Sequence, residues 1–241
     1  FIFTARNGIH IIDLQQTLAN LNEYYDMVRD LVTDGGQVLF VGTKRQAAET
    51  IQREAGRCGM SYVNTRWLGG TMTNWTTIRG RIDQLKQLEK DREEGIFQLL
   101  TKKEALMNER KINKLQLRLG GLRDMKRLPE LLIVVDTERE DTAVKEANIL
   151  NIPVLALADT NANPDVIDYI IPGNDDAMRS IRTVVSALAD AVLEGKAIRK
   201  GGAIDDNAGY EEQADSGYDF GEDASDEELL GASTLKNLRA A

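Results

Sequence analysis

The sequence predicts an α/β fold, a doubly wound parallel sheet covered by helices on both faces, with an antiparallel helical hairpin inserted midway and an acidic tail at the end. Three observations carry this expectation. Runs such as "VLFV" and "LLIVV" are apolar without alternation, as strands buried on both faces require. Each run ends in a turn and leads into an amphipathic, helix-like stretch. Midway, two apolar series at heptad spacing interrupt that alternation.

Taken in order, "IHIIDL" precedes a first helix, expected from Leu14 to about Val32. A strand from Val38 to Val41 turns at Gly42 into a second helix, with Thr43 and Gln46 in a capping-box pattern. The stretch "RWLGGTMTNW", Arg66 to Trp75, is neither a clean strand nor a clean helix. It holds both tryptophans of the chain and two adjacent glycines. Here Gly69 and Gly70 are expected to turn the backbone sharply, while Trp67 and Trp75 anchor the loop in apolar contacts.

The hairpin is expected over residues 72–120. Trp75, Ile78, Ile82 and Leu85 are spaced three, four and three apart, as are Ile112, Leu115, Leu119 and Leu122. Gly95 provides the turn, and Thr101 with Glu104 caps the returning helix. Its outer faces carry Arg79, Arg81, Lys86, Lys90, Lys102, Lys103, Arg110, Lys111, Lys114 and Arg118. Beyond it a strand from Leu131 to Val135 is followed by Asp136 and a Thr137–Glu140 capping pattern. "IPVLALADTN" supplies a third strand, and "DYIIPGNDD" a fourth, before a long helix expected to end at Gly195. The α/β domain is thus assigned to residues 1–71 and 121–200.

Residues 201–241 are the acidic tail. They carry 11 acidic and 2 basic side chains, which accounts for the whole net charge of −9. Low hydrophobicity and the lack of periodicity over 201–233 predict disorder, and "STLKNLRAA" reads as a frayed end rather than a partner-bound helix. The tail could bind a basic partner or shield the basic middle. Residues 44–127, by contrast, hold 19 basic and 10 acidic side chains. The chain is polarised, and its average charge conceals this.

Composition narrows the chemistry. No run of about 18 uncharged apolar residues exists, so a transmembrane helix is not expected and no membrane partner is assigned. The single cysteine, Cys58, fits a reducing, cytosolic compartment and excludes an internal disulfide or a cysteine-rich zinc site. With His10 as the only histidine, no metal site or Ser-His-Asp triad is assembled. "VGTK" matches a phosphate loop only at Gly42 and Lys44, so an ordinary capped turn is preferred to a nucleotide site. Asp136 and Asp159, at strand ends, are read as turn and cap residues rather than as an acid–base pair. No catalytic residue and no cofactor is assigned. RNA binding suits the basic middle better, since phosphate contacts supply most of the affinity and exposed aromatics can stack on bases. The rival is an enzyme with its ligand at the strand ends near Gly42, Asp136 and Asp159.

The stretch "YVNTRWLGGTMTNW" closely resembles the signature of the second protein of the bacterial small ribosomal subunit, the S-two family. "RNGIHIIDLQQTL", "VLFVGTKRQA", "LGGLRDMKRLPELLIVVD" and "EANILNIPVLALADTNANPDVIDYIIPGNDDAMRSI" resemble it in the same order, from Ile2 to Arg199. The resemblance implies a flavodoxin-like sheet with a protruding coiled coil and no enzymatic activity. It further implies binding to small-subunit ribosomal RNA between head and body on the solvent side, and help in holding the large first protein of that subunit. The implied location is a cytoplasmic ribosome, with an organellar one left open, and the chain is not expected to form a homo-oligomer. Carried over by position, the signature residues are Arg66, Trp67, Leu68, Gly69, Gly70, Thr73, Asn74 and Trp75. The family usually has leucine at Met72 and often an aromatic at Trp75. A basic Gly-His-rich segment ordinarily precedes "YIFTARNG", so such a segment is expected before Phe1. The candidate RNA contacts are Arg6, Lys44, Arg45, Arg66, Arg79, Arg81, Lys102, Lys103, Lys126 and Arg127.

Overall fold

The computed structural model describes residues 1–6 and 9–201. The readings for the tail, disorder and terminal helix alike, lie outside the described residues. An antiparallel pair, β1 (Ile2–Arg6) and β2 (Ile9–Ile12), leads into α1 (Leu14–Thr33), whose first turn is capped by the Asp13 carboxylate accepting from Gln15 N–H. The sheet then forms from β3 (Val38–Val41), β4 (Ser61–Val63), β5 (Leu131–Val135), β6 (Val154–Ala158) and β7 (Tyr169–Pro172). All four of its pairings are parallel, in the order β4-β3-β5-β6-β7. Counted within the sheet this is 2-1-3-4-5, a doubly wound order whose direction reverses between β3 and β5.

Strand residues alternate between two cores, which is why the runs read as apolar throughout. Val38, Phe40, Leu131, Ile133, Val135, Leu155 and Leu157 face one cluster, completed by α1, α2 (Arg45–Cys58) and α6 (Met178–Arg199). Leu39, Val41, Leu132, Val134, Val154 and Ala156 face the other, completed by α5 (Asp141–Ile149), Trp67, Met72 and the start of the helical insertion. Both faces are therefore covered.

The insertion consists of α3 (Trp75–Glu93) and α4 (Lys102–Leu119), which pack on each other. Ile78, Ile82 and Leu85 are buried on α3 and Ile112 and Leu119 on α4, while Trp75 and Leu115 are half-buried. Gly95 adopts φ +75° at the turn, and Thr101 and Glu104 form the expected reciprocal capping box. Arg92 and Glu109 approach to 3.8 Å across the pair.

Three local expectations need correction. Thr43 does not cap α2: Lys44 is the N-cap and bonds nothing there, because the Thr43 hydroxyl is taken by Glu140. For the same reason Glu140 is not the third residue of a cap on α5. Glu140 is itself the N-cap position, and its carboxylate reaches across to the next loop. Finally α6 does not stop at Gly195 but continues to Arg199. Gly195 faces inward, where a Cβ would come within 2.4 Å of the Arg29 carbonyl of α1. Close helix packing, rather than helix termination, requires glycine there.

Candidate nucleic-acid interface

The signature loop is organised by one carboxylate that no sequence motif announced. Glu146 lies on the buried face of α5 beside Ala143, Val144 and Ala147, and is 6% exposed. It accepts from Trp67 Nε1 at 3.0 Å and from the N–H groups of Gly70, Met72 and Thr73 at 2.7, 2.9 and 3.1 Å. The Thr73 hydroxyl adds a fifth bond at 3.1 Å. Burial pushes this carboxyl upward, but Trp67 and the three backbone donors outweigh it and hold it below the ordinary value. The loop is thus wrapped around an anion that belongs to the protein.

Backbone geometry at the two glycines differs from the symmetrical expectation. Gly70 has φ +87°, whereas Gly69 has no positive φ, and a Cβ added to it would meet nothing within 4 Å. Only Gly70 needs the left-handed region. Trp67 is buried and Trp75 half-buried in the same apolar cluster. Leu68 packs at its edge. Asn74 is the N-cap position of α3 but makes no side-chain cap bond.

From this base the basic side chains project. Arg66 on the loop and Arg79 and Arg81 on α3 are exposed and enter no ion pair among the described residues. Arg45, at the first position of α2, is likewise exposed, as are Arg6 on β1 and Lys126 before β5. Lys102 and Lys103 begin α4 at the far end of the insertion, about 28 Å from its root at 1.5 Å per residue of α3. Arg127 is committed in part: its guanidinium donates to the Gly35 carbonyl at 2.7 Å and pairs with Glu130 at 3.1 Å. These positions therefore form a dispersed basic surface rather than a single cluster.

Lys44 does not belong to that surface. Its ammonium lies 3.1 Å from Asp136, 2.8 Å from Asp175 and 2.6 Å from Asp176. Burial disfavours its charge, but Asp175, Asp176 and Asp136 more than compensate and raise its pKa. Burial raises Asp175 in spite of Lys44, and the like charges of Asp136 and Asp159 push it the same way. Beside them Glu140 accepts from Thr43 N–H at 2.8 Å and from its hydroxyl, and burial pushes this carboxyl up as well. The crevice at the strand ends, where a doubly wound sheet places ligands, is filled here by the chain's own ion pairs. Asp136, at φ +67°, also accepts from Arg139 N–H at 3.1 Å, as a turn residue does. Among the described residues no group of carboxylate, histidine and cysteine ligands could hold a metal ion, and no helix is long and apolar enough to cross a membrane.

Two further features escaped the sequence reading. The α3 seam continues past Leu85 to a buried acid, Glu89, paired with Arg123 at 3.0 Å. Gly121 packs so tightly on Tyr62 that a Cβ would come within 2.2 Å of its carbonyl. A charged residue four places after Leu85 was the available signal for the first; nothing local marks the second.

Comparison with known proteins matches residues 1–195 to the family described as ribosomal protein S2. The small ribosomal subunit protein uS2c of Cyanophora paradoxa is 55% identical over 195 residues, 81% of this chain and 84% of that protein. The small ribosomal subunit protein uS2 of Oleidesulfovibrio alaskensis is 56% identical over 200 residues, 83% of this chain and 77% of that protein.

Proposed function

Because the chain belongs to the ribosomal protein S2 family, matched over residues 1–195, we propose that it is a structural constituent of the small ribosomal subunit that binds small-subunit ribosomal RNA. It lies between head and body on the solvent side and helps to hold the large first protein of the subunit. It is not an enzyme. The observation that carries the RNA-binding reading is the set of exposed, ion-pair-free arginines Arg66, Arg79 and Arg81 on and beside a loop locked by Glu146. Phosphate recognition needs cations that are not already neutralised, held on a base that costs little to order.

In this reading α3 and α4 are a coiled-coil hairpin of residues 72–120, inserted into a flavodoxin-like domain of residues 1–71 and 121–200, and the acidic tail of residues 201–241 follows. One copy enters each subunit, in a cytoplasmic or organellar ribosome. The test is sedimentation of the full chain with small subunits stripped of their own copy, at physiological salt so that weak charge-driven association is reduced. Stoichiometric comigration that restores docking of the large first protein is the expected result. A chain that stays at the top of the gradient overturns the proposal.

A further inference from the structure

A polar cleft of about 280 Å³ opens at the root of the helical insertion. Tyr62 forms an aromatic wall, Leu85 lies buried beneath the cleft, and Glu89, Gln116, Arg118 and Arg123 supply polar groups. Glu89 is the unusual member. It occupies the next seam position of α3 after Leu85 and is 6% exposed, where an ionised side chain is costly unless it is well partnered. Its partner is Arg123, at 3.0 Å, but the contact is one of charge alone: Oε2 is buried and accepts no hydrogen bond. No other polar partner of Glu89 occurs among the described residues. Behind Arg123 the cleft therefore holds a desolvated acceptor with unused lone pairs, beside an aromatic wall and two guanidinium groups.

We propose that this cleft takes one unpaired guanine of RNA, with Glu89 accepting from its N1–H and 2-amino groups. The inference rests on the RNA-binding reading above and assigns it a base-specific subsite. Guanine is the base whose Watson–Crick edge sets two donors side by side, matching the two oxygens of a carboxylate. Adenine and cytosine each offer one amino group beside an acceptor, and uracil offers a single N–H, so each leaves one oxygen unmet or opposed. The half-buried Tyr62 ring suits a planar base, in the manner of other single-strand sites. Arg123, with a half-exposed side chain, screens Glu89 before the base enters. It then swings aside, exchanging the carboxylate for an RNA phosphate, and Arg118 holds the neighbouring one.

The test uses the full-length chain and short, fluorescein-labelled oligouridines carrying one central guanosine, inosine or adenosine, titrated by anisotropy at fixed salt. Guanosine is expected to bind roughly tenfold more tightly than adenosine, with inosine, which lacks the 2-amino group, between them. Glu89→Gln should erase the order while leaving the salt dependence unchanged. The base series on the unsubstituted chain stands whatever the stability of that variant. Equal affinity for all three oligonucleotides overturns the inference and leaves the RNA-binding reading in place, as does a guanosine preference that survives Glu89→Gln. No binding to any of them at low salt overturns both.

Discussion

The Trp67 indole donates to the Glu146 carboxylate across 79 residues of sequence, at 3.0 Å, with both side chains buried. That bond joins the signature loop to α5 and fixes the loop against the sheet. The neighbouring N–H groups of Gly70, Met72 and Thr73 depend on the same two oxygens.

Glu146→Ala should therefore destabilise the protein by about 3 kcal/mol or more, since it strands several inward-facing donors at once. Urea titration followed by tryptophan fluorescence measures this, and a loss below about 1 kcal/mol would contradict the assigned role. The pH dependence has a definite sign. A carboxyl held below its unfolded value contributes stability that is full above the unfolded pKa and is lost as pH falls through the folded one. Stability of the native chain should fall with acidification below the ordinary glutamate range of about 4.3, and Glu146→Gln should lose much of that slope.

The two loop glycines should part company on substitution. Gly69→Ala meets open space at an unstrained φ and is expected to change stability by less than about 0.5 kcal/mol. Gly70→Ala forces a side chain into the left-handed region and should cost about 1–2 kcal/mol. Differential melting of the two variants checks the contrast. Equal effects would mean that the turn is not carried by Gly70 alone.

Lys44 and Arg79 should fail in different ways. Lys44→Met leaves Asp136 and Asp175 buried without their cation and is expected to cost about 3–5 kcal/mol of stability. Arg79→Gln should leave the fold intact and reduce the slope of log affinity against log salt by about 0.7–0.9, the loss of one phosphate contact. Denaturation and RNA titration across a salt series separate the two. A reduced slope for a folded Lys44→Met protein would return Lys44 to the RNA surface.

Cys58 is buried at the end of α2, and its thiol is pushed up to about 11. Desolvation is the main cause, opposed by the nearby Lys196 charge. A thiol-specific reagent at pH 8 should leave the native chain unmodified and label it at the rate of unfolding. Rapid stoichiometric labelling under native conditions would place Cys58 outside the core.

The apolar strands β3, β5, β6 and β7 were legible in the sequence because each carries a local rule, whereas nothing local marked the β1–β2 pair. Leu131–Val135 can hardly be anything but a strand buried on both faces, and Thr101 with Glu104 marks its helix start within four residues. Thr43 and Thr137 obey the same local rule, yet Thr43 is claimed by Glu140, 97 residues away, and that long-range bond overrides the cap. Glu146, Glu89 and Gly195 escaped for a related reason. Their roles are set by what packs opposite them, and an acid on an apolar helix face or a glycine within a helix is only a weak flag for such a partner. Among the basic residues, charge alone could not separate Lys44, consumed by three carboxylates, from Arg66, Arg79 and Arg81.

The close approach of α6 to α1 at Gly195 also constrains how the chain reaches this state. The inner face of α1, with Val28 and Val32, is covered by the last helix of the described body. During synthesis that face waits, uncovered, while the rest of the sheet emerges, and the core on that side closes only when residues of α6 are available. Such late closure joins segments far apart in sequence, so folding should be slow for the size of the domain and the waiting intermediate prone to associate through α1.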